Sequence, residues 1–169
     1  MENLLTRSRN FIGPGSGWAL TQAVLIGACI ASGPLDALLQ RRFQATLSGV
    51  SPSSLLGALL IVSGGLIFSK AKLDLADNFT VSPHPRPDAA LVDHGTYCYV
   101  RHPMYTAASA AAFGYATYWR SSWSLGTAGL LTGFLVLKLA HEERLLTERY
   151  PSYPAYRRRT RARLIPGVY

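Results

Sequence analysis

The chain has 169 residues, 49% of them hydrophobic and only 15% charged, with a formal net charge of +8. A charged share so far below the roughly 25% of soluble domains, with the apolar residues gathered in blocks, argues against an ordinary soluble domain and points to membrane spans. The positive charge is lopsided: from Lys138 onward eight Lys or Arg stand against three Glu, so +5 of the +8 lies in the last fifth of the chain. This is a juxtamembrane basic tail of the kind drawn to the cytoplasmic leaflet, and no soluble basic face supports a nucleic-acid partner.

Residues 1 to 17 carry Arg7, Arg9 and the patch Gly13-Pro14-Gly15-Ser16-Gly17. No strand precedes the patch, so it reads as a lead-in to a helix rather than a phosphate loop. Trp18 to Ser32 is predicted as the first membrane helix, with a break at Gly33-Pro34 and apolar character reaching Leu39. Ile26-Gly27-Ala28-Cys29 resembles a lipoprotein cleavage box, but a retained span is the expectation. A polar connection over residues 40 to 53 contains Arg41 and Arg42 and ends in the helix-start signal Ser51-Pro52-Ser53-Ser54. Leu55 to Ser69 is the second span, with Gly57 and the pair Gly64-Gly65 offering small surfaces for close helix contact. Lys70 and Lys72 at its end can snorkel to the interface. A continuing helix would carry Leu73, Leu75 and Phe79 out of the bilayer, before Pro83, Pro85 and Pro87 impose an extended segment.

Leu91 to Tyr105, LVDHGTYCYVRHPMY, concentrates polar and aromatic groups as no earlier stretch does. Met104 to Trp119 is then apolar and alanine-rich, about 24 Å of helix against a hydrocarbon core of about 30 Å. Arg120-Ser121-Ser122 makes a turn flanked by Trp119 and Trp123 as interfacial anchors. Ser124 to Ala140 returns through the membrane. No breaker follows before Pro151, so the last helix is predicted to project about two turns into water. The predicted architecture is all-α and integral to the membrane, with about four transmembrane helices including a short hairpin. Residues 1–54 form a lead-in and first helix, and residues 55–169 the functional core. With four spans, the basic tail places both ends and the central motif on the cytosolic face, leaving Arg41, Arg42 and Arg120 outside.

Arg101 and His102 stand directly before a helix that begins near Pro103, a residue suited to a first turn whose free amides favour anionic groups. Glu142 and Glu143 leave the bilayer on the same side. A solvated helix end would explain the glutamates alone; with Arg101, His102 and several tyrosines on one face, a site is the better reading. Cys29 and Cys98, and His84, His94, His102 and His141, show no metal-ligand spacing, so no metal is expected.

These motifs resemble the isoprenylcysteine carboxyl methyltransferases, their bacterial relatives and the phospholipid N-methyltransferases. The resemblance covers residues 55 to 169. It rests on Gly95-Thr-Tyr97-Cys-Tyr-Val100-Arg101-His102-Pro103-Met-Tyr105, the membrane hairpin, Glu142-Glu143, Tyr153-Pro-Ala-Tyr156-Arg-Arg-Arg159 and Leu164-Ile165-Pro166-Gly167. It departs at Tyr150-Pro151-Ser152-Tyr153, where the family's Phe-Gly-Glu-Glu-Tyr is absent, at Ala107-Ala108 in place of a glycine, and by one extra residue before Pro166. The first 50 residues carry no family signature.

What the resemblance implies is S-adenosylmethionine held without a Rossmann sheet. Its contacts would be Tyr97, Val100, Arg101, His102, Pro103, Tyr105, Glu142, Glu143, Tyr153 and Tyr156. Glutamates can pair an ammonium or ribose hydroxyls, Arg101 or helix amides a carboxylate, and aromatic rings the adenine or sulfonium. The implied acceptor is lipidic, in first place a prenylcysteine-like carboxylate, which is ionised at pH 7 and needs an Arg to aim it; Arg159 is the candidate. A phospholipid amine, a quinone-like or terpenoid compound or a thiol stays open. An amine or thiol would need a base, for which Glu143 is the candidate. A non-enzymatic membrane protein with a lipid-binding tail is the remaining class.

Overall fold

A computed structural model of the chain describes residues 16–40, 50–76 and 90–167. Regular structure among these is wholly helical: α1 (Ser16–Leu39), α2 (Pro52–Leu75), a 3-10 turn (Gly95–Cys98), α3 (Pro103–Trp119), α4 (Ser122–Arg149) and a short α5 (Tyr153–Arg159). Helices α1, α2 and α4 are each long and apolar enough to cross a membrane. Helix α3 has 17 residues, about 26 Å at 1.5 Å per residue, and falls short of a full hydrocarbon core. Large apolar side chains such as Leu20, Val24, Leu59, Leu66, Leu130 and Leu137 face outward, the pattern of a surface in lipid rather than water.

Local chemistry sets most helix ends. Ser51 starts α2 with a reciprocal capping box to Ser54, and Pro52 takes the first turn. Ser121 caps α4 by accepting from the Ser124 amide at 3.1 Å, after Arg120 closes α3 in the left-handed region. Helix α4 has 28 residues, about 42 Å, longer than a hydrocarbon core of about 30 Å, and runs unbroken past Ala140 to Arg149.

The expected break at Gly33-Pro34 is absent: α1 runs through Pro34 to Leu39. Proline lacks the amide that would bond the carbonyl of Ile30, one turn back. The Tyr115 hydroxyl of α3 donates to that carbonyl instead, so the helix continues with its acceptor satisfied. Gly33 is buried against the indole of Trp119. Trp119, expected as an interfacial anchor, is therefore an inward-packed residue, whereas Trp123 is exposed.

The helices run alternately up and down. On α2 the buried residues are Gly57, Gly64 and Ala71, one every seventh position, and Gly57 and Gly64 form a seam against α3. A methyl group on Gly57 would lie 2.5 Å from the Tyr118 amide nitrogen and 2.6 Å from the Gly114 carbonyl oxygen; on Gly64 it would lie 2.8 Å from the Ala107 carbonyl oxygen. Gly65, by contrast, faces open space. A second core joins α1, α3 and α4 through Cys29, Ala112, Ala128, Leu131 and Leu135. At the end away from the central motif, Ser32 of α1 meets Ser124 of α4 at 2.9 Å. The expectations for Arg41, Arg42, Phe79, Pro83, Pro85 and Pro87 lie outside the described residues.

Candidate active site

The central motif is tied to the end of α2 before it reaches α3. Asp74 accepts from the Thr96 amide at 2.8 Å and from the Thr96 hydroxyl at 2.9 Å. Gly95 has φ +62°, and a methyl group there would sit 2.4 Å from the Asp74 carboxyl, so only glycine fits both the conformation and the close approach. The 3-10 turn then delivers Tyr97 inward, and the chain leads through buried Val100 to Arg101, His102 and Pro103.

The tail folds back across this segment. The Arg101 and His102 amides donate to the Ala162 and Arg163 carbonyls, both at 3.0 Å. The Arg101 side chain bonds Glu143 Oε1 through Nε at 2.7 Å and the Thr160 and Arg161 carbonyls through one terminal nitrogen at 2.6 and 2.7 Å. Arg163 adds a 3.3 Å contact to Glu143 Oε2. The Thr106 hydroxyl donates to the Leu164 carbonyl at 2.6 Å, and the Thr160 hydroxyl to the Cys98 carbonyl at 3.2 Å. Tyr156 reaches the Tyr97 carbonyl at 2.9 Å and stands edge-on to Tyr153, with both rings almost fully buried. Arg101 is thus a brace joining α3, α4 and the tail, with several of its donors engaged within the chain.

The two adjacent glutamates differ. Glu143 is buried between Arg101, His102 and Arg163. Burial opposes its ionisation, but His102 and Arg101 outweigh that and hold its carboxyl at about 2; it belongs to the charged stretch that follows Ala140, past the apolar run of α4. Glu142 accepts from the Tyr105 hydroxyl at 2.5 Å, lies 3.7 Å from His102 Nδ1 and keeps 16% of its side chain exposed. His102 stacks on Tyr105, with ring centroids 5.5 Å apart and planes 5° from parallel. Its Nε2 is buried, 3.4 Å from Glu143 and without hydrogen-bond alignment. Burial pushes the hydroxyls of Tyr97, Tyr153 and Tyr156 above their usual range, so all three stay neutral.

Tyr97, Val100, Arg101, His102, Pro103, Tyr105, Glu142, Glu143, Tyr153 and Tyr156 therefore gather at one end of the bundle. Arg159 stands apart: its side chain is 67% exposed and pairs with Asp93. Asp74, Thr106, Thr160 and Arg163 are participants that motif spacing does not expose. Asp74 alone had a sequence signal, as an acid ending an apolar helix. Among the described residues no group of His, Cys, Asp or Glu could hold a metal ion.

A mostly buried but still accessible carboxylate beside a stacked imidazole and phenol, with a buried imidazole nitrogen left over, suits a ligand carrying an ammonium, hydroxyls and an aromatic base. No curated protein matches the chain. The phospholipid methyltransferase family model matches residues 52–152, more than half of the chain, from the first residue of α2 to the turn after α4. The matched region contains the Arg101-His102 and Glu142-Glu143 pairs whose convergence has just been described, and the chain belongs to the phospholipid methyltransferase family, the membrane methyltransferases that include the isoprenylcysteine carboxyl methyltransferase-like enzymes.

Proposed function

We propose that the chain is an integral membrane methyltransferase that binds S-adenosylmethionine at the Arg101-His102 and Glu142-Glu143 end and methylates a lipidic acceptor. The observation that carries this reading is the closure of the tail over two adjacent glutamates of unlike exposure. Glu143 is committed to the brace of Arg101 and Arg163. Glu142, with Tyr105 and His102, keeps a face for a ligand. In this reading α3 is a fourth, short span paired with α4, and the acceptor enters sideways between helices from the lipid. The site faces the cytosol because Arg144, Arg149, Arg157, Arg158 and Arg161 crowd that end. Exposed Cys98 reports the orientation once buried Cys29 is replaced. An impermeant thiol reagent should reach Cys98 only after lysis, and labelling on intact cells reverses the topology.

S-adenosylmethionine, when bound, supplies a methyl group on a sulfonium for in-line displacement. The chain's own work is to position two partners and exclude water. Glu142 pairs the ammonium or the ribose hydroxyls, and His102 and Tyr105 offer ring faces. Tyr153 and Tyr156 hold the tail closed. For a prenylcysteine-like carboxylate acceptor, Arg159 exchanges Asp93 for the acceptor and aims it; no base is needed. Activity should then be flat from about pH 6 to 8, since such a carboxylate titrates near 3.5.

A phospholipid amine is the second reading, favoured by the pairing of Arg159 with Asp93 at the surface; the Glu143 expected as its base is engaged by Arg101 and Arg163, so in this reading the neighbouring Glu142 takes that role. An amine would give activity rising over the same pH window. Transfer of labelled methyl groups to N-acetyl-S-farnesylcysteine and to phosphatidylethanolamine vesicles separates them. Arg159→Ala should cut turnover on the carboxylate far more than cofactor affinity. Label in neither acceptor, with cofactor bound, would move the acceptor outside both classes.

A further inference from the structure

Helix α1 lies outside the segment shared with the family, yet its N-terminal half reaches the candidate site. Between Ser124 and Ala140 the one charged residue is Lys138, and it is 1% exposed. An ammonium at that depth is unfavourable unless partnered, and such residues are commonly functional. Lys138 Nζ donates to Gln22 Oε1 of α1 at 2.7 Å, across 116 residues of sequence, and stands 5.5 Å from the centroid of the Tyr105 ring. Tyr105 is the residue whose hydroxyl holds Glu142 and whose ring stacks on His102. One turn further along, Trp18 of α1 stacks on His141 of α4, with centroids 5.5 Å apart and planes 13° from parallel. Positions 18 and 22 on α1 thus meet positions 141 and 138 on α4, as two antiparallel helix faces do.

We propose that α1 is a working part of the site: Gln22 fixes the Lys138 ammonium against the Tyr105 ring, and this pair positions the Tyr105 hydroxyl and, through it, the Glu142 carboxylate. The inference rests on the cofactor reading given above and adds to it two positioning residues, one from a helix without family signature. A cation over a phenol ring is held by the ring's quadrupole. By bonding the ammonium, the amide of Gln22 limits the rotamers of the flexible lysine stem.

The test uses the full chain in detergent, with S-adenosylhomocysteine as probe, and a fluorine spectrum of protein grown with 3-fluorotyrosine to read Tyr105 without any ligand. The Tyr105 resonance is identified by its loss in Tyr105→Phe. Gln22→Leu should shift that resonance and weaken S-adenosylhomocysteine at least threefold, and Lys138→Met at least fivefold. Gln22→Glu, which still accepts from the ammonium, should stay within twofold of the unaltered chain. Ser32→Ala, which loosens the same two helices at their other end, should change neither readout. Adding Tyr105→Phe to Lys138→Met should cost less than the two changes taken separately. Should Lys138→Met fail to fold, the Gln22 pair decides alone. An unmoved Tyr105 resonance in Gln22→Leu, or equal losses in Gln22→Leu and Ser32→Ala, overturns the inference. An unaltered chain that binds no probe while the resonance still shifts overturns the cofactor reading instead.

Discussion

The seam between α2 and α3 and the polar end between α3, α4 and the tail solve opposite problems. The seam brings two helices together by deleting side chains: Gly57, Gly64 and Gly114 leave backbone facing backbone, with no room for one added methyl. The polar end brings helices and tail together with charges and long side chains, and Arg101 alone spans Glu143, Thr160 and Arg161. In lipid, apolar side chains gain little by leaving one apolar neighbour for another, so close packing of small residues is what holds spans together. Where the helices leave the bilayer, water returns and directional bonds can build a site. The difference predicts that the seam responds to volume and the polar end to charge.

The largest effect should come from unpairing the brace. Glu143→Ala leaves Arg101 buried without its carboxylate, and stranding one member of a buried pair costs about 3–5 kcal/mol. Thermal unfolding in detergent should show it, and replacing both residues with apolar ones should recover much of the loss. Next is the seam: Gly57→Leu should destabilise by about 3 kcal/mol, the upper part of the overpacking range, because its neighbours are backbone atoms that cannot turn aside. Gly65→Leu, which faces open space, should be close to neutral in the same measurement. If the two glycines behave alike, the seam is misassigned. A smaller change tests the crossing of α1 and α3. Tyr115→Phe strips the Ile30 carbonyl of its donor beside Pro34 and should cost about 1 kcal/mol. Pro34→Ala, which restores the helical amide, should cancel that loss.

The contrast also explains what could be read from the chain alone. Helix ends follow local signals, so the Ser51 cap, the turn at Arg120 and the unbroken run of α4 to Arg149 were legible. The continuation of α1 through Pro34 was not, because its remedy is a tyrosine 85 residues away. Trp119 likewise turned inward onto Gly33. In the site, motif residues named their own meeting point: Arg101, His102, Glu142, Glu143, Tyr153 and Tyr156 converge. Arg159 does not join them, since α5 is a single short helix that buries Tyr153 and Tyr156 and so turns Arg159 outward to Asp93. Asp74, Thr106, Thr160 and Arg163 depend on the path of the tail and the end of α2, which no spacing in the sequence encodes. Gln22 was hidden for the same reason: its partner Lys138 is fixed only once α1 lies along α4.

In the cofactor site proposed for the polar end, the two glutamates divide the work, Glu143 holding the fold and Glu142 holding the ligand. Calorimetry of S-adenosylhomocysteine on the full chain tests this central claim most directly, with unaltered protein beside Glu142→Gln. A micromolar Kd is predicted for the first. Losing a charge-assisted contact of about 1.5–3 kcal/mol should weaken the second at least tenfold while its unfolding temperature stays put. No binding by the unaltered chain, or an equal Kd for a folded Glu142→Gln, would contradict the account.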